Sequence, residues 1–206
     1  ATVHAWQMKW CTLTSTREHV IVYDLGQNAS LMLDLKVRGA AGATVKIIPS
    51  ELVKSDGSAD RSSCGNADAS WNYTLSGKSD GEEWHPRFFY HGARYLEVRC
   101  AGPDGSPDAL PVVEAVSARV AHSDALPVGD FACSNPLLNR IRGLIRWAQR
   151  SNFAHSLTDC PHRERLGWLE QYHLNGPSLR YEFDLDRLFS KNFNDMLEAQ
   201  TTDGLI

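Results

Sequence analysis

The sequence predicts a multidomain β + α protein, with an antiparallel β-sandwich over residues 1–122 and a linker with helices over residues 123–206. Three observations carry this reading. Apolar residues recur at every second position through the first half, the period changes to 3.6 after His122, and Asn135-Pro136 marks a helix start just beyond the change.

Taken in order, His19-Val20-Ile21-Val22-Tyr23-Asp24-Leu25 reads as a first strand that stops at Gly26-Gln27-Asn28. Leu31, Leu33, Leu35 and Val37 then alternate with Met32, Asp34, Lys36 and Arg38, which gives one buried and one wet face. Val45, Ile47 and Ile48 open a third strand that Pro49 interrupts. Residues 55–69 are rich in Ser, Asp and Gly and read as a long loop. Residues 71–75, 84–90, 94–100 and 112–120 complete at least seven short strands with no helical pattern between them, the mark of an antiparallel sandwich. Trp6 and Trp10 precede the first clear strand and have no readable role.

Residues 123–129 form a linker around Pro127. Asn135 is an N-cap and Pro136 the first helical residue, followed by Leu137, Ile141, Leu144, Ile145 and Ala148 at helical spacing. Arg140, Arg142, Arg146 and Arg150 fall mostly on the other side, expected to be a solvated or interdomain face. Residues 167–181 read as helix interrupted near Gly176-Pro177. Asp184 opens a last helix with the stripe Leu185, Leu188, Phe189, Phe193, Met196 and Leu197. These few stripes are too many to bury on one another, so the helical domain is expected to be truncated, an incomplete piece of a longer polypeptide.

With 42% hydrophobic residues and six Trp, the chain can bury a core and is not disordered. A net charge of −4 offers no basic footprint for nucleic acid, and no apolar run is long enough for a membrane span. Residues 1–14 lack the basic start and apolar stretch of a signal peptide, and the compartment stays open. Cys11, Cys64, Cys100, Cys133 and Cys160 are odd in number and widely spaced, which predicts buried free thiols rather than disulfides or structural zinc. His155, Cys160, His162 and His173 match no usual zinc spacing, so neither metal nor cofactor is expected. Trp84, Phe88, Phe89, Tyr90 and Tyr95 are read as core rather than as a sugar platform.

The densest polar cluster runs from Thr158 through Gln171, between two helices. It holds carboxylates, guanidiniums, an imidazole and an indole, residue types that glycoside hydrolysis uses for proton donation and for binding ring hydroxyls. By itself such a loop is more often a solvated surface.

Asp159-Cys160-Pro161-His162-Arg163-Glu164-Arg165-Leu166-Gly167-Trp168 resembles the Asp-Cys-Pro-x-Arg-Glu-Arg-x-Gly-Trp signature of bacterial α-L-rhamnosidases, glycoside hydrolase family 78. Phe131, Ser134-Asn135-Pro136-Leu137-Leu138-Asn139 and Ser151-Asn152 are similar to that family's approach to its six-hairpin (α/α)6 barrel. Tyr23-Asp24-Leu25-Gly26-Gln27-Asn28, Pro49-Ser50-Glu51-Leu52 and the stretch from Trp84 to Val98 look like its preceding sandwich. The resemblance implies inverting hydrolysis of terminal α-L-rhamnosides, with a rhamnose-containing glycan or glycoside as partner. It implies Glu164 as general acid, with Asp159, Arg163 and Trp168 in the sugar pocket. Where many members continue with x-Gly-Asp, this chain has Leu169-Glu170-Gln171, so Glu170 replaces that carboxylate or the subsite differs, and the resemblance implies that Glu170 and Gln171 both bind substrate. The family's general base lies far downstream, and no position here takes its part, so the chain alone is expected to be inactive. A general acid must hold its proton near neutral pH, which adjacent guanidiniums oppose unless they point away or are paired. A non-catalytic carbohydrate-binding or accessory module is the alternative reading.

Overall fold

The structure is a computed structural model. It describes residues 4–6, 20–65 and 68–206, the first three for the backbone alone, so the Trp6 side chain, Trp10 and Cys11 lie outside the described residues. Two compact units emerge. Among the described residues, a sheet unit holds those from His4 to Ala121 together with Pro161–Arg163, and a helical unit holds His122–Cys160 and Glu164–Ile206.

The sheet unit contains β1 (His4–Trp6), β2 (Val20–Arg38), β3 (Thr44–Ser50), β4 (Leu52–Val53), β5 (Ala59–Asp60), β6 (Trp71–Thr74), β7 (Glu82–Trp84), β8 (His91–Ala101) and β9 (Val112–Val120). The antiparallel order is β1-β9-β2-β8-β3-β6, with β7 also on β2, and β4 and β5 form a separate hairpin. β2 belongs to three ladders. Val20 to Asp24 and, after a register shift, Ala29 to Leu31 pair with β8, Leu31 to Arg38 pair with β9, and Leu35 to Val37 pair with β7. The chain therefore bends at Gly26 rather than stopping there. Gly26 takes φ +77°, where a side chain would be strained, and its N–H donates to Asp24 Oδ1 at 2.8 Å. Arg94 on β8 grips the same Asp24 with two hydrogen bonds of 2.8 and 2.9 Å, which ties the bend to its neighbour.

Each ladder buries one alternating row. Leu31, Leu33, Leu35 and Val37 are buried on β2, Val116, Ala118 and Val120 on β9, Val45 and Ile47 on β3, and Leu96 and Val98 on β8. Burying each large side chain of this kind stabilises by roughly 1.5–3 kcal/mol, before the entropy of ordering it. The outward positions of β2 and β9 pair by charge instead, Asp34 with Arg119 and Arg38 with Glu114.

Three expectations need correction. Pro49 lies within β3, facing Leu96 of β8, because the β6 ladder ends at Ile47 and no partner needs the missing N–H. Of the expected strand 84–90 only Trp84 is in a strand, as the last residue of β7, and Phe88 is 98% exposed. The aromatic pattern there comes from packing off the ladder, with Phe89 edge-on to buried Trp71 at 5.5 Å. Part of the 55–69 loop forms the β4–β5 hairpin and a 3-10 turn at Ser62–Cys64.

The helical unit contains α1 (Pro136–Ser151), α2 (Glu170–Leu174), α3 (Gly176–Glu182) and α4 (Asp186–Ala199). Asn135 Oδ1 accepts from Leu137 N–H at 2.9 Å and Pro136 opens α1, as the sequence indicated. α4 begins at Asp186 with Leu185 rather than Asp184 at its N-cap, although Asp184 Oδ1 accepts from Asp186 N–H at 3.1 Å. The core is Ala125, Phe153, Leu157, Leu179, Phe183, Leu185 and Leu188, with Phe153 edge-on to Phe183 at 5.0 Å.

α1 sits opposite to expectation. Leu137, Ile141, Leu144 and Ile145 are exposed, Leu144 at 68%, while Arg142, Arg146 and Arg150, though not exposed Arg140, are turned inward. Arg142 clasps Glu182 through Nε and Nη2, both at 2.9 Å, and donates to the carbonyls of Gly129 and Phe131 at 3.2 Å. Arg146 and Arg150 lie over the Phe183 ring at 5.3 and 5.7 Å. Burial, then Arg146, lowers the pKa of Arg150, whereas the Glu182 bonds raise that of Arg142. Long arginine stems cover apolar rings while their heads reach one acid, so a polar face can serve as the packed one.

Cys64, Cys100, Cys133 and Cys160 are free thiols, but only Cys64 is buried, so the expectation of burial holds for one of the four.

Candidate active site

Thr158 and Gly167 close the base of the loop that carries the polar cluster. They form an isolated antiparallel bridge, Thr158 N–H donates to Asn152 O at 2.9 Å, and Trp168 N–H donates to Leu157 O at 3.3 Å. Gly167 is required by space, since a Cβ there would lie 2.8 Å from Ser156 Oγ. Between these posts, residues 159–166 have no regular structure, as Pro161 demands.

In the helical unit, Asp159 and Gln171 line one cavity of about 190 Å³. Its polar lining is mostly neutral: Gln149, Asn152, Asn175, Ser178 and Thr158, over Ile145, Leu157 and Leu179. Asn175 Nδ2 donates to Gln171 Oε1, Gln149 Nε2 to Ser178 Oγ at 3.2 Å, and Thr158 Oγ1 to Asn152 Oδ1 at 3.1 Å. One carboxylate among amides and hydroxyls suits the hydroxyls of an uncharged sugar better than a metal or a phosphate. Among the described residues no group of three or more His, Cys, Asp or Glu is placed to hold a metal ion, and no helix is long and apolar enough to cross a membrane.

Glu164 is exposed, and its N–H donates to Cys160 Sγ at 3.2 Å. The next residue, Arg165, has φ +56°, a left-handed conformation that costs a non-glycine residue on the order of 1–2 kcal/mol. Strain of this kind persists only where surrounding structure holds it. Trp168 is 40% exposed, and Glu170 is exposed in the first turn of α2. Glu170 does not line the Asp159 cavity, whereas Gln171 does. The position that presents a side chain beside Asp159 is thus an amide.

Arg163 falls in the other unit. Pro161–Arg163 packs with the sheet, where Gly92 N–H donates to Pro161 O at 2.8 Å. His162 Nε2 lies 3.1 Å from Ser63 O and 3.6 Å from Glu51 Oε2, and Glu51 Oε1 accepts from Asn28 Nδ2 at 2.8 Å. The Arg163 stem passes within 3.5 Å of the Cβ position at Gly65. Sequence reasoning quoted Asn28 and Glu51 only as parts of similar stretches, and no spacing in the chain signals that they hold His162.

Two family models divide the chain between them. Residues 14–122 match the bacterial alpha-L-rhamnosidase concanavalin-like domain, and residues 127–206 match the bacterial alpha-L-rhamnosidase 6 hairpin glycosidase domain. Sheet and helices together thus define a glycosidase class. The chain belongs to the bacterial α-L-rhamnosidase family. An alpha-L-rhamnosidase of Streptomyces avermitilis is 37% identical over 193 residues, 93% of this chain and 18% of that protein. One from Formosa agariphila is 30% identical over 179 residues, 85% of this chain and again 18% of its own length. Solved structures agree. The alpha-L-rhamnosidase from Dictyoglumus thermophilum superposes with a TM-score of 0.81 at 34% identity, over 98% of this chain and 22% of that one. The Streptomyces avermitilis enzyme complexed with L-rhamnose gives the same score and identity, over 98% and 19%. The chain spans about a fifth of the length of the relatives it matches.

Proposed function

We propose that this chain contributes the sandwich and the opening of the catalytic helical domain to an inverting α-L-rhamnosidase that hydrolyses terminal α-L-rhamnosides. Glu164 is the general acid, giving its proton to the departing glycosidic oxygen. Asp159, Arg163, Trp168 and Gln171 bind the rhamnose unit: the carboxylate and amide accept and donate to ring hydroxyls, the guanidinium donates, and the indole covers the C–H face. Glu170, exposed at the start of α2, is a weaker candidate for the same work. The observation that carries the reading is the ten-residue signature of residues 159–168, held at its base by Thr158 and Gly167, with Asp159 on a neutral polar cavity. Inversion needs a second carboxyl roughly 6.5–9.5 Å from the acid. That partner has no candidate in this chain, so activity belongs to the whole protein and the 206-residue chain alone is inactive.

Replacing Glu164 by Gln keeps the shape and removes the transferable proton. In the whole protein, turnover of natural rhamnosides falls by about 10²–10⁴-fold, and that of activated aryl rhamnosides falls less. The melting temperature stays put, because an exposed carboxylate contributes little to folding. Wild-type turnover of a natural rhamnoside by Glu164→Gln removes Glu164 from the role.

A further inference from the structure

We propose that His162 is a positioning residue for the loop that carries Glu164, an inference that rests on the role proposed for Glu164. In the family signature this position is unspecified, so the motif assigns His162 no task. The structure surrounds it with one. The side chain is only 16% exposed, and its Nε2 donates to the Ser63 carbonyl at 3.1 Å, with a Glu51 carboxylate oxygen 3.6 Å away. Nδ1 is buried with no hydrogen-bond partner among the described residues. The bond to Ser63 O requires Nε2 to carry a proton, so the ring has one productive orientation, and turning it over would lose the bond. Glu51 is itself held by Asn28, which extends the anchor into β2.

The neighbours of His162 are anchored on the same unit. Pro161 accepts from Gly92 N–H and packs against it so closely that a Cβ on Gly92 would lie 2.6 Å from Pro161 Cγ. Glu164 follows this tripeptide directly, its N–H tied back to Cys160, and Arg165 after it is confined to a left-handed backbone. A proton donor must meet the leaving oxygen within hydrogen-bond reach, and misplacement by about 1 Å can cost a hundredfold. Two consecutive anchors, Pro161 and His162, shortly before Glu164 and one constrained residue after it leave that carboxylate little backbone freedom. His162 is the anchor whose removal leaves the backbone itself unchanged.

The test compares His162→Ala with His162→Gln in the whole protein, reading both amide hydrogen exchange and kinetics. His162→Ala speeds exchange at residues 163–165 by tenfold or more. It lowers kcat on natural rhamnosides by about 10–100-fold with little change in KM, and it barely affects activated aryl rhamnosides, which need less proton donation. His162→Gln, whose amide can still donate to Ser63 O, recovers most of both effects. A merely structural histidine would lower turnover of both substrate types together. If His162→Ala does not fold, Glu51→Gln supplies the milder comparison. Unchanged exchange overturns the proposal, as does loosened exchange with normal natural-substrate turnover in a protein that Glu164→Gln inactivates. If Glu164→Gln leaves turnover intact, the catalytic reading fails, and the exchange data alone decide whether His162 holds the loop.

Discussion

Gly92→Ala tests how closely the loop is seated. Gly92 has an ordinary backbone conformation, so alanine meets no torsional objection, and only space opposes it. A methyl there would lie 2.6 Å from Pro161 Cγ, 3.0 Å from its Cβ and 3.1 Å from its carbonyl carbon. Carbon atoms rest at about 3.5–4.0 Å, so Pro161 must retreat by roughly 1 Å. It cannot rotate aside, since its ring is closed and its carbonyl accepts from Gly92 N–H at 2.8 Å. Overpacking of this size costs about 1–3 kcal/mol, and the strained hydrogen bond adds to it. The displaced segment leads within three residues to Glu164, where a 1 Å error is worth about a hundredfold in rate. Urea denaturation followed by circular dichroism gives the first quantity, and steady-state hydrolysis of a natural rhamnoside by the whole protein gives the second. Full stability with full turnover in Gly92→Ala would refute the seating of Pro161 on β8.

Glu182→Ala leaves Arg142 with two carbonyls and exposed Asp130, and is expected to cost about 1.5–3 kcal/mol by the same denaturation assay, since Glu182 is largely buried and accepts two charge-assisted bonds. Glu82 is held at a pKa of about 2 by the Tyr73 hydroxyl and by Ser76 and Gly77, below its ordinary value of 4.5. A depressed folded pKa means stability present above about 4.5 and lost as pH falls toward 2, so acid unfolding of wild type should be steeper in that window than that of Glu82→Gln. Equal slopes would count against this network. Gly143→Ala on α1 meets nothing within 4 Å and should raise stability by about 0.5–1 kcal/mol, checked by the urea midpoint.

Much of the fold was legible because period is a local property. Leu31, Leu33, Leu35 and Val37 announce their buried face within eight residues, and Asn135-Pro136 announces α1 within two. What failed depended on distant partners. α1 turns its arginines inward because Glu182, 40 residues on, gathers them, and no window around the helix contains that acid. β2 continues through Gly26 because Arg94, 70 residues away, holds Asp24 at the bend. In the site, the signature marks Asp159, Glu164 and Trp168 by order alone. The support beneath it is 99 residues away, where Ser63 meets His162. The sequence places Glu170 and Gln171 in the site together, but adjacent residues at a helix start point in different directions, and only Gln171 lines the cavity.

The membership of β2 in three ladders also bears on how the chain is made. Its second half waits for β9, and the side-chain pair of Asp34 and Arg119 closes a separation of 85 residues. At a synthesis rate of about 5–20 residues per second, the row from Leu31 to Val37 leaves the ribosome roughly 4–17 s before that partner strand exists. During this interval it is an apolar strand with one short hairpin-like neighbour, β7, arriving first and only at its far end. Charges at Asp34 and Arg38 on the opposite face then act as gatekeepers against pairing with another nascent chain, a task finished once Arg119 and Glu114 arrive to neutralise them.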